Sequence, residues 1–154
     1  MKYLLPLAVL ALSACTAADG PVANTAAPSV ILSEAAVTPA PGEWGTFYPY
    51  FTEGSHALDP VLVGVAKINA GDEPHPPHRH VEEEYLMVTK GTGTWYLNGE
   101  KQVANEGDIL FAHSWDYHGI TAADDSPLEF VVFKYAAKGN APTDPDPTLP
   151  EFPK

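Results

Sequence analysis

Apolar and polar positions along the middle of the chain alternate in short runs, broken by turn residues at close intervals. Val61 to Ile68 is rich in Val and Ile; Glu84 to Lys90 and Thr92 to Asn98 flank Gly91; Asp108 to Ala112, His118 to Thr121 and Leu128 to Tyr135 follow. Runs of this length with β-branched and aromatic residues predict strands, and Asn98-Gly99 is a strong two-residue hairpin signal. The last run is apolar on both parities, with Leu128, Phe130 and Val132 on one and Val131, Phe133 and Tyr135 on the other. That pattern predicts a strand buried on both faces. No window of helical length carries a 3.6-residue apolar period free of Gly or Pro. The prediction is all-β, a small antiparallel sandwich or barrel.

The ends differ from the middle. Residues 1–14 join a short cationic start to an apolar run from Leu4 to Ala14 that is too short to span a bilayer, and they read as an export signal. The run ends Leu12-Ser13-Ala14-Cys15, which resembles the lipobox of bacterial lipoproteins. The resemblance implies cleavage before Cys15, acylation of that Cys and anchoring to a membrane surface. Thr16, rather than Asp, follows the Cys, which in such lipoproteins implies the periplasmic face of the outer membrane. Residues 15–41 are rich in Ala, Pro and Thr and read as a lipidated Cys with a flexible tether, interrupted by Ser29-Val30-Ile31-Leu32 as a candidate short edge strand. From residue 139 to 154 the chain is a Pro-rich tail that denies backbone donors to any sheet. One folded domain over residues 42–138 remains.

Charge and cysteine count narrow the partners. Eight Lys+Arg against 20 Asp+Glu give a net charge of −12, which offers no basic patch for a phosphate backbone and excludes nucleic acid. A single Cys forms neither an internal disulfide nor a thiolate cage. A small-molecule ligand or substrate is the expected partner, besides the membrane reached through Cys15. Assembly is left open, with a homodimer as the candidate.

The chemistry gathers between Gly71 and His118, which contain five of the six histidines. His78, His80 and Glu84 are separated by two and four residues, so in extended chain their side chains share a face. His118 opens a later run and can close the set from a neighbouring strand. Imidazoles with one carboxylate suit a divalent transition metal such as Fe, Mn, Ni, Co or Zn. On spacing alone, a surface loop beside Pro76 and Pro77 with a solvated run of Glu82, Glu83 and Glu84 is as good a reading.

The motifs carry the argument further. Gly71-x6-His78-x-His80-x3-Glu84-x6-Gly91 resembles the first motif of the cupin superfamily, with one extra residue before the His pair, and Gly107-Asp108-x9-His118 resembles the second. The resemblance implies a single-domain cupin-type antiparallel β-barrel or jelly roll, with His78, His80, Glu84 and His118 as metal ligands. Asn105 and His113 stand where the second motif has Pro, and Ala122 stands where the family has Asn, which alters the mouth of the barrel without removing a ligand. Four protein ligands would leave an octahedral metal two positions for water, dioxygen or substrate. His75 and His113 are further candidates for contact with the ligands or the substrate, as are Tyr117 and Trp115 in the segment leading to His118. Tyr85, Tyr96 and Trp95 are candidate pocket aromatics or ordinary packing. Cupins resembling sulfonium-propionate lyases carry a base Tyr two residues past the motif Glu; Leu86 stands there instead. The reading favours a metal-dependent dioxygenase, isomerase or lyase, with a non-catalytic binding module as the alternative. No catalytic residue beyond the metal ligands is assigned.

Overall fold

A computed structural model describes residues 28–153; the signal segment, Cys15 and the first part of the tether lie outside them. The described chain is all-β apart from one 3-10 turn, Glu34–Ala36. Its strands are β1 (Ala40–Gly42), β2 (Gly45–Phe51), β3 (Leu58–Ile68), β4 (Glu83–Lys90), β5 (Thr92–Leu97), β6 (Glu100–Asn105), β7 (Ile109–Ala112), β8 (His118–Ala122) and β9 (Leu128–Ala137). They form a six-stranded sheet in the order β1-β2-β3-β9-β4-β7 and a three-stranded sheet in the order β6-β5-β8, with neighbouring strands antiparallel throughout. This is the jelly-roll barrel that the sequence predicts.

Alternation fixes what faces inward. Leu86 and Val88 on β4, Trp95 on β5, Ile120 and Ala122 on β8, and Leu128, Phe130 and Val132 on β9 are buried and pack as one cluster between the sheets. A two-residue turn joins β5 to β6, with Asn98 at φ 48° and Gly99 at φ 96°, as the Asn-Gly pair predicts. Gly91 joins β4 to β5 at φ 82°, and a Cβ there would lie 2.0 Å from the Pro127 carbonyl oxygen, so the turn needs glycine for both space and conformation.

Several expectations are corrected. The second parity of β9 is not buried: Phe133 is 45% exposed and stands with Tyr85, Met87 and Ile109 on the outer face of the large sheet. Ser29–Leu32 forms no strand, and Ile31 is almost fully exposed; the edge strand is Ala40–Gly42, paired with β2. Ordered packing thus begins before residue 42, with Val37 buried and Glu34 ion-paired to Lys67 at 2.8 Å. Residues 139–153 form no strand, but they do not hang free. They fold back onto the barrel beside the candidate site, as described below.

Candidate metal centre and its cavity

Each ligand candidate reaches the barrel interior by a different route. Glu84 faces inward on β4 of the large sheet, in step with Leu86 and Val88. His118 opens β8 of the small sheet in register with Leu97 and is 1% exposed. His78 lies in the loop before β4 and is fastened to His118 by an isolated antiparallel bridge. His80 follows two residues later, and its Nδ1 lies 3.1 Å from the Glu82 carbonyl oxygen and 3.2 Å from a Glu82 carboxylate oxygen.

The three imidazoles form a nearly equilateral triangle, with ring centroids 4.9 Å apart for His78 and His80, 5.0 Å for His78 and His118, and 4.8 Å for His80 and His118. One ring nitrogen from each lies within 4.8 Å of the others. The Glu84 Oε2 atom is 3.5 Å from His80 Nε2 and 3.7 Å from His118 Nε2. These gaps are too long for strong hydrogen bonds. His118 Nδ1 is engaged 2.8 Å from the Asp116 carbonyl oxygen, and His80 Nδ1 is engaged by Glu82, so donation from Nδ1 leaves each Nε2 an unprotonated lone pair. Those two Nε2 atoms and His78 Nδ1 are buried without a hydrogen-bond partner. Buried polar atoms rarely stay unpaired, and three imidazoles with converging ring nitrogens beside a carboxylate are the donor set of a divalent transition metal. The residues present fit the group.

Electrostatics agree with that fit. Burial lowers the His78 pKa to about 3, with the neighbouring His75, His118 and His80 adding to the effect, so the imidazole stays neutral and able to ligate. Burial alone would raise the Glu84 pKa. In the metal-free site, where an Nε2 proton of His118 or His80 can face the carboxylate instead, these imidazoles outweigh the effect of burial and hold the Glu84 carboxyl well below the usual carboxylate range.

The cluster opens into a cavity of about 470 Å³. Trp44, Phe47, Trp95 and Phe130 supply aromatic walls, Leu86 and Val132 aliphatic ones, and His75, His78, Glu84 and His118 the polar end. Leu86 therefore lines the cavity itself. Lys134 is the only lysine or arginine among the lining residues, and it stands opposite Glu84 in the β4–β9 register. Sequence reasoning did not single out Lys134, although parity with Phe130 and Val132 points it inward. Trp44, in the turn before β2, and Phe47 on β2 carry no clear sequence signal either, because β2 contains Pro49 and reads weakly as a strand.

The remaining candidates separate. His75 is largely solvent-facing yet lies edge-on to His78 at 4.2 Å and lines the cavity. His113 does not line it: its side chain is 71% exposed, packs on Phe111 and lies 3.7 Å from a Glu83 carboxylate oxygen. Trp115 and Tyr117 do not line it either; they hold the C-terminal segment. Of the aromatics read from the sequence, Trp95 alone lines the cavity, stacked 5.9 Å from His118, while Tyr85 lies on the outer face.

Residues 64–134 match the cupin domain model, and the jelly-roll fold of the described residues is consistent with that match. A stretch of 57 residues is 30% identical to gentisate 1,2-dioxygenase from a Streptomyces species, covering 36% of this chain but only 16% of that enzyme. The fold resembles a sugar phosphate isomerase of the cupin superfamily from Silicibacter pomeroyi, with a TM-score of 0.60 and 16% identity over 69% of this chain and 75% of that one. It also resembles the polyketide cyclase from Streptomyces resistomycificus, with a TM-score of 0.58 and 17% identity over 80% of this chain and 89% of that one.

Proposed function

We propose that the protein is a metal-dependent enzyme of the bacterial envelope, acting on a small organic molecule that carries an ionised oxygen on an apolar or aromatic body. The observation that supports it is the convergence of one ring nitrogen each from His78, His80 and His118 beside Glu84, with His78, His118 and Glu84 at the polar end of a largely apolar cavity. His78, His80, His118 and Glu84 hold the metal, which supplies a Lewis acid for an oxygen of the bound molecule. Lys134, across the strand pair from Glu84, offers its ammonium to the same negative charge, while Trp44, Phe47 and Phe130 take the apolar body and exclude water. Dioxygenase and isomerase or lyase chemistry both suit this arrangement, and the partial identity to a gentisate dioxygenase favours the first. Anchoring through an acylated Cys15, facing the periplasm from the outer membrane, belongs to the same proposal and rests on the sequence Leu12-Ser13-Ala14-Cys15.

The test is metal analysis of the protein purified from its own envelope, followed by screening of aromatic and aliphatic acids with and without oxygen. Stoichiometric metal with oxygen uptake identifies a dioxygenase, and turnover without oxygen an isomerase or lyase. Metal without turnover of any screened acid favours the binding module instead.

A further inference from the structure

Arg79 stands between the two ligands His78 and His80, and it is 4% exposed although it carries a full charge. It is buried by the C-terminal segment. Its guanidinium forms an ion pair with Asp144, donates from Nη1 to the Asp146 carbonyl oxygen at 3.1 Å, and lies over the rings of Trp115 and Tyr117 at 5.3 and 5.6 Å from their centroids. Its backbone N–H donates to the Glu151 carbonyl oxygen at 2.9 Å. Trp115 Nε1 donates to the Pro142 carbonyl oxygen at 3.0 Å, and the Tyr117 hydroxyl donates to that of Pro150.

These contacts share one chemistry. The barrel supplies the donors, and the tail supplies carbonyl oxygens at 142, 146, 150 and 151. A proline-rich segment is suited to this role, because it has few N–H groups to satisfy and little conformational freedom to lose. The same residues that deny it a place in a sheet make it a strap. The strap delivers Glu151 and Phe152 to the cavity wall, where the Phe152 ring lies 6.4 Å from that of His78.

We propose that the segment Asp144–Phe152 is the selectivity wall of the cavity, with Phe152 as the residue that limits the size of the molecule reaching the ligands and Arg79 as the positioning residue that clasps the segment in place. This rests on the metal-site reading above for the position of the substrate but not for the existence of the wall. The wall lies outside the barrel strands, so its side chains can be altered without replacing a core residue or a ligand.

The test uses the full chain loaded with cobalt, its metal content measured first, and two bidentate probes of one chemistry: acetohydroxamate and the bulkier 2-naphthohydroxamate. Binding is read from the cobalt absorption spectrum. Phe152→Ala is expected to tighten the bulky probe by about tenfold or more while leaving acetohydroxamate within about twofold, the discrimination a pocket of altered size gives. Arg79→Gln is expected to shift the same ratio and to speed amide exchange in the tail while the barrel strands stay protected. If Arg79→Gln fails to fold, Phe152→Ala decides alone. A second arm titrates metal-free protein with an anilinonaphthalene sulfonate dye, whose fluorescence should rise more steeply with Phe152→Ala than with the unaltered chain. An unchanged probe ratio, or, where the protein retains no cobalt, an unchanged dye titration, overturns the wall. Absence of bound cobalt alone overturns the metal-site reading instead.

Discussion

His78 and His118 exchange both of their main-chain hydrogen bonds, each 2.9 Å long, in a bridge that belongs to no longer strand pair. A loop that would otherwise wander is thereby tied to the first residue of β8, and both imidazoles are aimed at one point. Since the bridge is made by backbone atoms, it survives loss of either side chain. His80→Ala and His118→Ala should therefore lower metal affinity by more than about 100-fold, exceeding what loss of an outer-shell partner costs, while the barrel still folds. Metal analysis after gel filtration, with circular dichroism on the same samples, checks this. Stoichiometric metal persisting in both variants would remove the assignment.

Glu84 is the one anionic member of the set and joins the two sheets through it. Glu84→Gln keeps the shape and removes the charge. The variant should retain metal less tightly, with nitrogen-preferring ions such as nickel and zinc favoured over manganese, because the oxygen donor that suits manganese is weakened. Competition between manganese and zinc, measured on the unaltered chain and the variant, checks the direction; an unchanged preference would place Glu84 outside the coordination sphere.

How much of this was legible beforehand differs by element. Six strands announce themselves through alternation and β-branched residues, and the motif residues of the centre are unusual in type and spacing. β6, Glu100–Asn105, was not legible because it buries only Ala104 and therefore reads as polar turn. β2 was hidden by Pro49, which the sheet accommodates with a register shift between Pro49 and Phe51. The docking of the tail left no periodic signal at all, since its contacts run through carbonyl oxygens, which every residue has. Arg79 was passed over for the converse reason: its role depends on residues more than 60 positions away, which spacing along the chain does not show.

The lowered pKa of His78 fixes a sign for stability against pH. Folded, the imidazole takes a proton only near pH 3; unfolded, it takes one near its ordinary 6.5. Between those values the unfolded chain binds the extra proton, so falling pH favours unfolding. The Glu84 carboxyl, also lowered, adds in the same direction once the pH falls below its ordinary 4.5. Metal-free protein should thus lose stability from pH 6.5 to 5, and His78→Gln should lose less over that interval. Urea denaturation of both at pH 7.5 and 5 reads the difference, and equal losses would contradict the burial of a neutral imidazole.

Lys134 tests the chemistry expected of the substrate. It lines the cavity in register with Glu84, where Glu151 also contributes a carboxylate, and its ammonium is the fixed positive charge that an anionic ligand would meet there. With benzoate as a probe of a carboxylate on a flat ring, Lys134→Met should weaken binding by about tenfold or more, as loss of a charge-assisted contact of ~1.5–3 kcal/mol implies. Binding of benzyl alcohol, which has the same ring without the charge, should change little. Calorimetry on metal-loaded protein gives both values; equal changes for the two probes would show that Lys134 acts through packing.

The proposed anchoring is a separate matter from the proposed catalysis and would rest on one atom. The thiol of Cys15 is the chain's single sulfhydryl and stands at the end of the apolar signal, where a lipobox requires its acyl acceptor. A hydroxyl in its place cannot form the thioether that such acylation uses, so Cys15→Ser should leave the protein unprocessed or release it from the membrane fraction. The barrel, whose strands begin at Ala40, should fold and bind metal as before. Fractionation with incorporation of labelled fatty acid decides it: a Ser variant that still carries label and still sediments with membranes would show that the attachment is made elsewhere, and metal retained equally in both fractions would confirm that site and anchor are independent.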